Sequence, residues 1–514
     1  MEYDFLAVLP PLIAILLCFW TKQVVLSLFV GIYTGGVIIM GGNPLSGFEY
    51  TLDAMIKSIT DSWNASLLLF SIFMGCGIAF VWKLGGSQAL SAWAAKKIKS
   101  QRMAGVGIWI FGFIIFFNDC VNSAIVGNVS RDIAKAHRIS TEKLSYLLDS
   151  TAAPIASLLL SDWVAFQIGM INTGLEAANI KDVSAFSAYL QTLPMNIYAI
   201  LSIAFVGIVV ISGKDFGAMW TAENRARNTG KLVRDGGQPL MDVGFELGEP
   251  FDTTPRLSNL FIPMLTLVGV TLFGFWWTGR AGDGIVDILA KCDPAKALLW
   301  GAFAMALSGF FLAIGRKIMT VGEAMDTLLN GMKLLLLACC ILVLAWSLGG
   351  VIKDMKLADF IIKIIGNNIP FAIVPIIIFV FGMLISFATG TSWGTMTILT
   401  PVAIPLGYQM TGDVHTAIAL AGVVLSGAIF GDHCSPISDT TVFSSIFAGA
   451  DHIDHVSTQI PYAIAVAAVT GLLFVLYGFI QFSSIILLSL GFIALIILFF
   501  TIAKNPDQKV PATE

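Results

Sequence analysis

The sequence predicts an all-α polytopic membrane protein: an inverted repeat of transmembrane helices with two re-entrant hairpins and two broken helices. Three observations lead there. Of 514 residues, 57% are hydrophobic and only 12% charged, whereas a soluble globular chain carries about 25% charged residues. Apolar runs of spanning length recur along the chain, with Lys and Arg gathered in particular loops. Polar, helix-breaking patches interrupt those runs at corresponding places in the two halves.

A larger core cannot absorb the charge deficit, because single cores stop growing near about 250–300 residues. Lipid must therefore cover much of the surface. A net charge of -4 gives no sign of a nucleic-acid partner. The seven cysteines (Cys18, Cys76, Cys120, Cys292, Cys339, Cys340 and Cys434) form neither a disulfide framework nor a zinc spacing, and read as free thiols in apolar surroundings. The acidic start MEYDFLAVLPP lacks the basic region of a cleaved signal peptide, so the first apolar run reads as a retained helix. No phosphate loop points to ATP drive, and no cofactor is implied.

Taken in order, the candidate spans are 5–20, 24–40, 67–82, 151–171, 196–212, 258–277, 297–314, 334–352, 371–388, 415–430, 459–478 and 484–502. Trp20, Trp82, Trp276, Trp277 and Trp300 lie near run ends, as interfacial anchors do. Lys83, Lys96, Lys97, Lys99 and Arg102 mark one cytoplasmic loop, and Arg131, Lys135, Arg138 and Lys143 a second. Between them the apolar stretch 105–117 is too short to cross, and it leads into NDCVNS at 118–123. Two cytoplasmic flanks require an even number of crossings, which a re-entrant hairpin over about 105–130 supplies. One long helix with Asn118 and Asp119 in mid-span is the alternative. Loop 315–333 returns to the cytoplasm.

The first membrane half is thus 1–212, with a broken helix over about 144–171. Residues 213–257, mixed in charge and rich in Gly and Pro, read as a cytoplasmic linker without a core of its own. The second half, 258–503, repeats the order with a hairpin over about 371–406 and a broken helix over about 415–450, before the polar tail 504–514. Counting loops makes the second hairpin enter from outside, hence the inversion.

The chemistry lies in the interruptions. Irregular chain survives at membrane depth only where it lines a polar cavity or is covered by protein, and Pro154 and Pro436 each remove a helix donor. GDHCSPISDTT (431–441) gathers Asp432, His433, Ser435, Ser438, Asp439, Thr440 and Thr441, oxygen ligands suited to a hard cation. A Ser- and Asp-rich cytoplasmic helix cap would also account for it. Asn118, Asp119, Asn122 and Ser123 form a second group, equally compatible with a polar hairpin turn. Asp149 and Asp162 flank a third group, around Ser150, Thr151 and Pro154, though Asp162, followed by Trp163, could equally be an interface residue. Thr389, Thr391 and Ser392 in TGTSWGT add hydroxyls on small-residue chain that could equally serve helix packing. His415, His452 and His455 fall near predicted membrane surfaces and read as solvated. His433 is the histidine inside a candidate site, at which a proton-sensing role is conceivable.

With those residues in hand, the chain resembles the NhaC-type sodium/proton antiporter family over most of its length, GDHCSPISDTT being the most specific element. The resemblance implies membership of the ion transporter superfamily, an elevator-like motion, and a homodimer. It also implies Na⁺- and proton-handling positions at Asp119, Asn122, Asp432, Ser435 and Asp439. The family is functionally mixed, so fold-level kinship leaves the substrate open. The leading expectation is a multi-pass transporter of the cytoplasmic (inner) membrane exchanging Na⁺ for H⁺ at a shared carboxylate site. The alternative couples Na⁺ or H⁺ to an amino acid or small carboxylate. A membrane-embedded enzyme or channel is the third reading, with Ser435 beside His433 a faint echo of a hydrolase.

Overall fold

A computed structural model describes residues 3–508 apart from 22, 115, 117–118, 160, 240–246, 283, 285–287, 289–290 and 357–368. Among the described residues there is no β-strand, and isolated bridges join Asp215 to Lys504 and Pro239 to Asp451. The chain opens with α1 (Leu9–Thr21), α2 (Val24–Ile39), α3 (Pro44–Thr60), α4 (Ser62–Lys83) and α5 (Gly86–Lys97). A helical pair follows, α6 (Gln101–Ile114) and α7 (Asp119–Ala136). The first interrupted segment comprises α8 (Thr141–Thr151), the single turn α9 (Ala153–Ala156) and α10 (Asp162–Ala177). Then come α11 (Ala185–Thr192), α12 (Ile197–Ser212) and α13 (Gly217–Thr229). The second half begins with α14 (Ser258–Thr278), α15 (Pro294–Gly315), α16 (Val321–Leu334) and α17 (Leu336–Asp354). Its helical pair is α18 (Val374–Thr389) and α19 (Ser392–Thr411), and its interrupted segment α20 (Val414–Cys434) and α21 (Asp439–Ala448). The chain closes with α22 (His452–Ile480) and α23 (Ser484–Ile502).

Among the described residues, eight helices are long and apolar enough to cross a membrane, or nine if the bent pair Ala185–Met195 and Ile197–Ser212 is one span. This is fewer than the apolar runs suggest. The runs at 5–20 and 24–40 form helices of 13 and 16 residues, and the run at 151–171 is broken after Thr151. Leu472, Phe479, Ile485 and Ile497 stand exposed, as a lipid-facing surface requires.

Several helices lie where hydropathy shows none, α3 and α16 among them. α3 buries small residues (Gly47, Thr51 and Ser58) while Leu45, Phe48, Leu52 and Ile56 are exposed. Its charges at Glu49, Asp53 and Lys57 hide it in a hydropathy scan. α16 occupies what reads as loop 315–333. Its start is fixed by a reciprocal capping box between Thr320 and Glu323, a signal present in the sequence.

The two halves interlock. α4 of the first packs along α15 and α16 of the second, and α17 of the second along α2 and α3 of the first. Deeper in, α7 lies beside α21 and α10 beside α19. α20 is buried from Thr416 to Cys434, as a helix apolar on every side should be. The described part of 213–257 is tied to the helix ends. Lys143 and Asp215 form a buried ion pair, Arg225 meets Glu142 at 2.8 Å, and Arg234 pairs with Asp454 and, at 3.5 Å, Asp451. The tail is clipped to the same region, Lys504 N donating to Asp215 O at 2.8 Å.

Candidate functional site

α20 stops at Cys434 because Ser435 precedes Pro436, whose ring forces it into an extended conformation (φ -77°, ψ 131°). The chain re-enters helix at Asp439, so residues 435–438 are irregular and buried. α18 ends at Thr389 with Gly390 in the left-handed region (φ 67°), and a Cβ there would sit 2.5 Å from the carbonyl oxygen of Ile437. Ser435 Oγ donates to Phe387 O at 2.7 Å. The turn between α18 and α19 is thereby clasped to the break after α20.

A similar clasp holds the first half. A Cβ on Gly112 would sit 2.5 Å from the Thr151 side chain, and Asn122 Nδ2 donates to Gly112 O (2.8 Å) and Thr151 O (3.0 Å). Most of NDCVNS is therefore the first turn of α7 and not the turn itself, since α7 begins at Asp119. A carboxylate is well placed at a helix N-terminus. Asn118 lies outside the described residues.

Asp432 anchors the arrangement. It is 1% exposed, its Oδ2 accepts from Ser392 Oγ at 2.7 Å, and its Oδ1 accepts from Ser438 Oγ at 2.5 Å. Ser438 in turn shares a 2.9 Å hydrogen bond with Thr440. Asp439 and Asp119 lie near enough to interact electrostatically with Asp432 and with each other. Trp163 Nε1 donates to Asp119 Oδ2 at 3.1 Å, and its ring rests 5.4 Å from that of Trp393. Trp163 is fully buried.

Asp149, also fully buried, accepts from Gln459 Nε2 (2.6 Å), Thr441 Oγ1 (3.2 Å) and Ser444 Oγ (3.5 Å). Among the described residues no lysine or arginine forms an ion pair with Asp149 or Asp432; the charged-type neighbour of Asp149 is His455 at 3.9 Å. Buried carboxylates without a cationic side chain need a bound cation or a proton. The hydroxyl oxygens of Ser392 and Ser438 beside Asp432 suit a hard cation.

Other sequence-selected residues serve the frame. His433 is held by Ser150 Oγ and Tyr198 OH, each at 2.8 Å from a ring nitrogen. Ser123 meets Ser444 at 3.3 Å. Thr151 and Thr389 return their hydroxyls to Leu147 O and Ile385 O, and the Thr391 carbonyl accepts from Thr395. His452 and His455, read from the sequence as solvated, are buried. Sequence reasoning does not single out Gln459 or Tyr198: Tyr198 lies in an apolar run and Gln459 at the edge of one, with no local signal.

Two clasped breaks meeting around buried carboxylates are transporter architecture. The Na⁺/H⁺ antiporter family model matches residues 155–479. The chain belongs to the Na⁺/H⁺ antiporter family. It is a multi-pass membrane protein and a secondary transporter, not an enzyme. The resemblance to NhaC-type antiporters holds. An uncharacterized protein of Haemophilus influenzae is 30% identical over 97% of this chain and 95% of its own length. The Malate-2H⁺/Na⁺-lactate antiporter of Bacillus subtilis is 38% identical over 19% of this chain and 20% of its own. The Na⁺/H⁺ antiporter NhaC of Alkalihalophilus pseudofirmus is 34% identical, with the same two coverages.

Proposed function

We propose that this member of the Na⁺/H⁺ antiporter family exchanges sodium for protons across the cytoplasmic (inner) membrane, at a site formed by Asp432, Asp439 and Asp119. The observation that carries this reading is Asp432: a buried carboxylate gripped by hydroxyls from two different breaks, with no lysine or arginine among the described residues paired to it. Sodium and protons are alternative ways to neutralise such a group, so occupancy by one excludes the other. Ser392, Ser438 and Thr440 supply further oxygens. Asn122 and Ser435 hold the clasps in place, a structural task consistent with their hydrogen bonds to Gly112, Thr151 and Phe387 carbonyls.

In the same reading, 1–212 and 258–503 are inverted halves joined by the linker 213–257, and their interlocked packing supports an elevator-type carrier. A membrane potential contributes about 2.3 kcal/mol per charge per 100 mV, enough to drive unequal exchange. The relative that is a malate/lactate antiporter favours a second reading, in which the ions are coupled to a small carboxylate.

Proteoliposomes separate the two. Sodium-dependent proton flux with no organic solute present supports ion exchange. Flux that appears only when a carboxylate or amino acid is added overturns it in favour of the second reading.

A further inference from the structure

Outside the carboxylate cluster, three buried side chains share more hydrogen-bond contacts than they have hydrogens. His452 and His455 lie at the start of α22, 2% and 0% exposed. His452 Nε2 sits 2.8 Å from the carbonyl oxygen of Pro436, and His455 Nε2 sits 2.9 Å from the side-chain oxygen of Gln459. That oxygen is fixed as an acceptor. The Gln459 nitrogen faces both the Asp149 carboxylate and the peptide carbonyl of His433, and a peptide carbonyl cannot donate. Each Nε2 therefore carries a hydrogen.

The two Nδ1 atoms then converge on one oxygen, Ser445 Oγ, at 2.9 Å from His452 and 2.8 Å from His455. With both rings neutral, two Nδ1 lone pairs and the Thr441 carbonyl, 2.8 Å from Ser445 Oγ, compete for one hydroxyl hydrogen, so at least one Nδ1 contact holds none. A single added proton puts a hydrogen in both Nδ1 contacts once the hydroxyl turns from Thr441 O to the second ring. One ring becomes imidazolium and donates Nδ1–H to Ser445, which donates its own hydrogen to the other ring.

We infer that His452, Ser445 and His455 hold one of the protons exchanged against sodium. The inference rests on the antiport reading and adds where the proton resides. As the charge moves, the Nδ1–H bond of protonated His452 breaks and an O–H bond forms on Ser445. The original hydroxyl hydrogen passes to His455 Nδ1, so no proton is gained or lost. At His455 the charge lies 3.9 Å from Asp149 Oδ2, a carboxylate that offsets a buried imidazolium. The other ionisable groups facing the triad are Asp451, the N-cap of α22, and His433 of α20. Asp451 is itself held by Arg234 of the linker, and both ring nitrogens of His433 are engaged.

The test compares wild type with Ser445→Ala and His452→Gln in proteoliposomes. Proton-gradient-driven uptake of radiolabelled sodium is set against sodium/sodium exchange at equal pH, which moves no proton. Proton-driven uptake should fall about a hundredfold, the scale of a positioned acid–base group, while sodium/sodium exchange stays within about twofold. Ser445→Thr, which keeps a hydroxyl, should restore proton-driven uptake. Equal loss of both exchanges would mark a packing role and overturn the inference, as would undiminished proton-driven uptake. A wild-type protein that moves no protons against sodium defeats the antiport reading itself, and the triad with it.

Discussion

Replacing Asp432 with Asn keeps the side chain's shape and removes its charge. Both hydroxyl partners have other acceptors at hand: Ser392 Oγ lies 3.0 Å from Ala428 O, and Ser438 Oγ 2.9 Å from Thr440 Oγ1. The folding penalty should therefore stay within about 1 kcal/mol, visible as a shift of about 3 °C or less in thermal unfolding in detergent. Sodium binding should suffer far more. Unit charges ~4 Å apart interact by about 4 kcal/mol at an effective dielectric near 20. The amide dipole returns part of that, leaving a net loss of about 3 kcal/mol, or roughly a hundredfold in sodium affinity. The assay is the sodium dependence of transport in proteoliposomes at several pH values. Because Asn takes up no proton, competition between protons and sodium should also disappear. A half-saturating sodium concentration within about threefold of wild type, with its pH dependence intact, would refute the placement of the ion at Asp432.

Trp163→Phe keeps a ring against Trp393 but deletes the hydrogen bond to Asp119. A hydrogen bond to a charged group is worth about 1.5–3 kcal/mol, so thermal unfolding should fall by a few degrees, and half-saturating sodium should rise in the same titration as Asp119 loses its orientation. Lys143→Ala strands the buried Asp215 carboxylate and should destabilise the protein by about 3–5 kcal/mol, whereas Lys143→Met with Asp215→Leu should recover most of it in thermal unfolding. Burial, then the charge of Asp215, holds the Glu223 carboxyl above the usual carboxylate range, against the pull of Lys143, Arg227 and the Ser140 amide. A carboxyl raised on folding stabilises the folded state fully below its unfolded pKa and loses that contribution as pH climbs through the raised value. Thermal stability should therefore fall across that window, and Glu223→Gln should flatten the fall.

Much of the fold was legible because lipid imposes a simple rule on sequence. Runs such as 258–277 and 484–502 are helices of spanning length at nearly the expected limits, while the run at 459–478 belongs to a helix that starts at His452. Pro154 and Pro436 marked the breaks because a missing donor is a local fact. The amphipathic α3 and α16 escaped notice because their charges lower mean hydropathy while their small, inward-facing residues carry no hydrophobic signal. His452 and His455 were misplaced for a related reason. Their polarity suggested water, yet Pro436, Ser445 and Gln459 satisfy them inside the protein.

The sequence by itself determined that this chain is a membrane protein with two interrupted segments, and it pointed to GDHCSPISDTT as the candidate site. Composition, apolar run length and helix breakers act locally, so no partner is needed to read them. Only the tertiary structure decided which polar groups meet. Trp163 reaches Asp119, Gln459 reaches Asp149, and Ser392 reaches Asp432 across 44, 310 and 40 residues. The Gln459–Asp149 pairing follows from how the two halves interlock and the other two from packing within a half, and a buried polar side chain shows its partner only once the helices around it are packed.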